Sequence, residues 1–149
     1  DVVYSSASNT KPYEHAEEGN VAIRILYQNG KAILTLKKQL LNEMDNLEYE
    51  SEVSESENIH QMLLVLGWKS EVEVKKIRKK GMLGEYEVCL DWVEQLGDYL
   101  ELEKLTDDNV DGEKVVEELY KVLEPFGLSR KDGEKRGYDT LMWLLNNSK

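Results

Sequence analysis

The sequence predicts an α+β protein whose strands run antiparallel, with helices packed outside the sheet. Three observations carry that class. Alternating, β-branched runs outnumber helical stretches, an Asn-Gly pair joins two of the runs directly, and the connections are too short for parallel crossovers. The 149 residues, 40% apolar and 33% charged with two prolines, are one domain's worth of chain, neither disordered nor fibrous.

Taken in order, residues 21–27 (VAIRILY) and 31–38 (KAILTLKK) read as a hairpin about Asn29-Gly30, since both central positions of a type I′ turn need positive φ. A strand is expected at 47–53 (LEYESEV). Ser54 and Glu57 then read as a capping box for a helix bearing Ile59, Met62, Leu63 and Leu66, which Gly67 ends. Residues 71–80, 85–93 and 98–104 read as three consecutive strands with Gly-bearing loops. A helix over 112–124 is capped by Asp111 and stopped by Pro125, and a last one over 138–146 carries Tyr138, Leu141, Met142 and Leu145.

Charge and cysteine usage narrow the partners. Thirty acids against nineteen bases give −11, which repels nucleic acid and anionic lipid unless bases are concentrated locally. No window approaches a membrane-spanning apolar run. The single cysteine, Cys89, cannot form an internal disulfide or a Cys-based zinc site and favours a reducing, cytoplasmic setting. The chain opens on Asp1 without a secretory pattern, so processing or a longer product with a missing first segment is expected.

The informative feature is where charges fall within strands. A two-residue turn pairs Gln28 with Lys31, so Arg24 opposes Thr35 and Ala22 opposes Lys37 on one face, while Ile23, Ile25, Tyr27, Leu34 and Leu36 make an apolar face. Val72, Val74, Lys76 and Arg78 share a face of the next predicted strand. A four-residue loop at 81–84 would set Arg78 opposite Glu87 and Lys76 opposite Cys89. A five-residue connection at 94–98 would set Asp91 opposite Glu101, with Cys89 near Glu103. Glu48, Glu50 and Glu52 share one side of theirs. Directly opposed carboxylates are unfavourable without a cation between them, so Asp91 with Glu101 and Glu103 is a metal site, a base-neutralised cluster or a different register. All-oxygen ligands would suit Mg²⁺ or Mn²⁺. The mixed face also suits a phosphate chain held by Lys and Arg, whether it faces water on an open sheet or lines a closed barrel.

These residues resemble the CYTH family, which comprises class IV adenylyl cyclases and thiamine triphosphatases and is also called the triphosphate tunnel metalloenzymes. AIRIL (22–26) is similar to its LRIR strand, LTLKK (34–38) to its lTxK strand, and EYESEV (48–53) with LGW (66–68) to its ExE strand and following helix. VKKIRKK (74–80) resembles the KxR strand. CLDWVEQLGDYLELE (89–103) matches a signature of Asp, Leu-Gly and ExE, and 129–142 resembles the family's tail. DVVY resembles a segment that follows the family's first strand.

The resemblance implies a single domain over 1–149 that lacks its first strand, built as an eight-stranded antiparallel barrel, a triphosphate tunnel, with helices outside. Carried over by position, Arg24, Lys37, Lys76 and Arg78 would bind the triphosphate, with Lys76 and Arg78 also catalytic. Asp91, Glu101 and Glu103 would hold Mg²⁺ or Mn²⁺, supported by Glu48 and Glu50. The implied activity is metal-dependent, class IV adenylyl cyclase-like conversion of ATP to cyclic AMP and pyrophosphate. The alternatives are a triphosphatase acting on thiamine triphosphate or tripolyphosphate, or a non-catalytic triphosphate binder; a homodimer is among the assemblies the chain allows.

Three departures stand out. The family's ExExK belongs upstream of Asp1, and the literal match Glu71-Val72-Glu73-Val74-Lys75 reads instead as a solvated face. The second Arg of LRIR is Leu26. Lys79 and Lys80 extend the KxR strand and read as a basic strand end in water, although one of them would offset the base lost at Leu26. His15 and His60 read as structural or solvated, and Tyr99 as a packed rim residue.

Overall fold

Residues 2–5, 21–40, 45–107 and 110–148 are described by a computed structural model. The chain divides into two compact units, residues 1–74 with 135–149 and residues 75–134. In the first, five antiparallel strands lie in the order β4 (Asn46–Val53), β3 (Lys31–Gln39), β2 (Val21–Gln28), β1 (Val2–Ser5) and β5 (Lys69–Glu73). Asn29 and Gly30 sit at φ 53° and 77°, the left-handed pair that the two-residue turn requires. That turn sets Gln28 opposite Lys31, Arg24 opposite Thr35 and Ala22 opposite Lys37, the register expected from sequence.

One face of this sheet is apolar and carries the core. Ile25 is fully buried beneath Leu63 of helix α1 (Ser56–Val65), with Val2, Ile23, Ala32, Leu34, Ile59 and Trp68 packed around them. Full burial of such a side chain stabilises by about 1.5–3 kcal/mol. Helix α3 (Tyr138–Asn147) lies against β5 and buries Thr140 and Met142.

The second unit holds β6 (Lys76–Leu83), β7 (Tyr86–Val93) and β8 (Gly97–Glu103) in that order, with helix α2 (Gly112–Leu123). Asp111 caps α2 by accepting from the Glu113 amide at 3.1 Å. Pro125 falls in the 3₁₀ turn Glu124–Phe126 that ends the helix. Glu118 ties α2 to the sheet, accepting from Lys104 Nζ at 2.6 Å and from the Tyr86 hydroxyl.

Several expectations are corrected. The strand read over 71–80 is two strands in two sheets: β5 pairs with β1, whereas the Lys75 carbonyl already accepts from the Glu94 amide of the second unit. The loop before β7 is two residues, Gly84-Glu85, because Met82 and Leu83 continue the ladder opposite Glu87 and Tyr86. This sets Arg78 opposite Asp91 and Lys80 opposite Cys89. The loop before β8 is three residues, with Gln95 at φ 70°, so Tyr99 rather than Glu101 faces Asp91, and Cys89 faces Glu101.

Helix α1 begins at Ser56 with Glu55 at its N-cap, and no side chain caps it. Glu55 accepts from Asn58 and Glu57 from Gln61, which takes the Ser54–Glu57 capping box out of play. Met62 and Leu66 lie outward, leaving Ile59 and Leu63 as the packed stripe. Among the described residues, hydrogen bonding joins the strands as five and three, and no ring closes. The antiparallel α+β class with three helices is found, while the described residues form no closed barrel.

Candidate functional site

In the first unit, alternation along β2, β3 and β4 places Arg24, Thr35, Lys37, Glu48 and Glu50 on the face opposite Ile25. Lys37 Nζ meets Glu48 Oε1 at 2.6 Å, and Arg24 Nη2 lies 3.7 Å from Glu50 Oε1. Thr35, fully buried between them in the ladder, donates its hydroxyl to Glu50 at 3.2 Å. All four site residues predicted on these strands thus share one face, each base with an acid of β4. Leu26 stands on the same face, opposite Ile33, and contributes no charge.

In the second unit, the polar face carries Lys76, Arg78 and Lys80 from β6, Glu87, Cys89 and Asp91 from β7, and Tyr99, Glu101 and Glu103 from β8. Asp91 is 2% exposed, and a buried carboxylate must be paired to stay ionised. Arg78 does this with two donors, Nε to Oδ1 at 2.7 Å and Nη2 to Oδ2 at 2.5 Å, the fork geometry only arginine offers. Nη2 also reaches Glu101 at 2.5 Å, and Lys76 Nζ lies 3.5 Å from Asp91. Of the three sequence-level readings of this cluster, the structure combines two: a shifted register and carboxylates neutralised by bases.

Electrostatics follow from this crowding. Burial works to lower the pKa of Arg78, but its hydrogen bond to Asp91 and the charges of Glu101 and Asp91 outweigh it and hold the guanidinium above its ordinary value. Burial raises the pKa of Glu103, aided by the charge of Glu101 and a hydrogen bond to it. Burial likewise pushes the Cys89 thiol up, so it stays protonated. At the open end of the face, Lys80 Nζ meets Glu87 Oε1 at 2.7 Å, which raises the lysine and lowers the glutamate.

Donor atoms of Glu87, Cys89 and Glu103 lie within 4.8 Å of one another. The protonated thiol is a poor partner for a hard cation, whereas Glu101 and Glu103 are crowded carboxylates that share the one guanidinium of Arg78. That oxygen-rich set fits Mg²⁺ or Mn²⁺.

The remaining sequence-level readings are settled locally. Glu73 and Lys75 are exposed and Glu71 is half-buried, each with an interaction of its own, so the ExExK-like stretch is a partly rather than wholly solvated face. His60 is half-buried on α1, and His15 lies outside the described residues. Glu87, read from sequence as the partner opposite Arg78, and Lys80, read as a basic strand end in water, join the site as a pair of their own. The parity of Lys80 with Lys76 and Arg78 was the available signal.

The fold is thus an antiparallel α+β class that presents bases paired with carboxylates on one face of each sheet. The CYTH domain model matches residues 13–138, and the chain belongs to that family. It is 30% identical over 129 residues to "Putative adenylate cyclase MJ0240" of Methanocaldococcus jannaschii, covering 85% of this chain and 74% of that one. It is 28% identical over 134 residues to "Adenylate cyclase CyaB" of Aeromonas hydrophila, covering 89% and 68%. The structure of PH1819 protein from Pyrococcus horikoshii OT3 superposes with a TM-score of 0.75 at 29% identity, covering 97% of this chain and 81% of that one. No helix among the described residues is long and apolar enough to cross a membrane.

Proposed function

We propose that this chain processes an organic triphosphate in a metal-dependent reaction, with conversion of ATP to cyclic AMP and pyrophosphate as the leading activity. The observation that carries the reading is the row of bases on β6 set against carboxylates of β7 and β8, in a family whose named relatives include adenylate cyclases. In this reading Lys76 and Arg78 bind phosphate oxygens and neutralise charge that builds on the leaving pyrophosphate. The bond formed is from the ribose 3′ oxygen to the α-phosphorus, the bond broken runs from that phosphorus to the bridging oxygen of pyrophosphate, and the 3′-hydroxyl proton is released to water.

A bound Mg²⁺ or Mn²⁺ would supply further charge neutralisation and orientation of the phosphates. Glu101 and Glu103 would hold it together with Asp91, whose own oxygens are engaged by Arg78 and Lys76. Asp91 thereby also fixes the aim of Arg78. Charged groups aligned in advance need little reorganisation at the moment of reaction.

The second reading is a triphosphatase or a non-catalytic triphosphate binder, favoured by the loss of one base at Leu26. The test is incubation with ATP and Mn²⁺, scored for cyclic AMP, inorganic phosphate and pyrophosphate. Cyclic AMP with pyrophosphate is the expected result. Inorganic phosphate alone would replace the cyclase by the triphosphatase, and tight binding without turnover would leave the binder. Lys76→Ala and Glu101→Ala should each lower activity by ~100-fold or more, and Lys75→Ala by less than about 3-fold. Equal losses in all three would overturn the assignment.

A further inference from the structure

We infer that Lys80 is a further phosphate-binding residue, the exchangeable cation of the β6 row. This rests on the triphosphate reading above. Lys76, Arg78 and Lys80 alternate onto the polar face of β6, while Lys79 falls on the opposite face with Ile77. The first two bases are committed. Arg78 spends Nε and Nη2 on Asp91 and Glu101, and Lys76 sits beside the buried Asp91 with a side chain only 15% exposed.

Lys80 differs on both counts. Its side chain is 51% exposed, and among the described residues it pairs with Glu87, itself at the open end of the face. A single exposed pair of this kind is weak and gives way to a stronger anion, and a phosphate oxygen is one. The ammonium needs only to swing on its flexible stem, which a forked, doubly bonded guanidinium cannot do. The bland reading, a surface pair that serves Glu87 alone, makes a different prediction.

The experiment titrates inorganic tripolyphosphate into the full chain by calorimetry, with the variants Lys80→Ala, Lys80→Arg, Lys79→Ala and Lys76→Ala at one fixed salt concentration. Loss of one charged hydrogen bond should weaken binding about 10-fold in Lys80→Ala, with Lys80→Arg within about 3-fold of wild type and Lys79→Ala within about 2-fold. Wild-type binding that falls in Lys76→Ala but equally little in Lys80→Ala and Lys79→Ala would overturn the role of Lys80 and leave the triphosphate reading standing. Absence of binding by the wild type would remove that reading and the role of Lys80 with it.

Discussion

Asp91 shows what a single residue decides here. At 2% exposure its carboxylate is paired with Arg78 and Lys76, so its ionisation and the aim of Arg78 are one arrangement. Arg78→Ala should lower the urea midpoint by the equivalent of ~3 kcal/mol, because breaking a buried pair strands the partner's charge. A midpoint unchanged within about 0.5 kcal/mol would mean that the pair is solvated. Glu103 works in the opposite sense. Its folded pKa is raised, so its contribution to stability is full below the unfolded carboxylate pKa and is lost as pH rises through the folded value. Glu103→Gln should therefore melt higher than wild type at about pH 7, by roughly 0.5 kcal/mol or 1–2 °C, with the gap closing near pH 4. The side chain is half exposed, which keeps the effect small. Thermal melts at the two pH values check it.

Among the elements, the β2–β3 hairpin was legible down to its register, because Asn29-Gly30 dictates a two-residue turn and the turn dictates every pair behind it. Gly30→Ala should destabilise by ~1 kcal/mol, since φ of 77° strains any residue with a Cβ even though open space surrounds the position. A denaturation midpoint equal to wild type would refute that. The β6–β7–β8 registers were not legible, because loops rich in Gly, Met and Leu did not announce that they were shorter than they looked. Both registers nevertheless slipped by an even number of residues. A sheet repeats every two residues, so an even slip changes partners but keeps faces, and Lys76, Arg78, Asp91, Glu101 and Glu103 stayed together. An odd slip would have dissolved the group.

At the scale of the whole molecule, the crowding of Glu101 and Glu103 predicts that a divalent cation stabilises the fold by binding it selectively. Mn²⁺ at about 100 times its Kd should add ~2.7 kcal/mol and raise the melting temperature by several degrees. Doubly substituted Glu101→Gln, Glu103→Gln protein should show no such shift. An equal shift in both proteins would place the cation elsewhere.

Face membership, the hairpin, the helix cap at Asp111 and the family signature through Glu103 were written in local pattern, because alternation and turn chemistry are properties of adjacent residues. The division of 71–80 between two sheets was not: no proline or glycine marks the point where β5 ends and β6 begins. Which strand pairs with which is settled by contacts distant in sequence. Only the tertiary structure could place Arg78 against Asp91 and turn two unfavourably crowded acids and a base into one neutralised, aligned cluster.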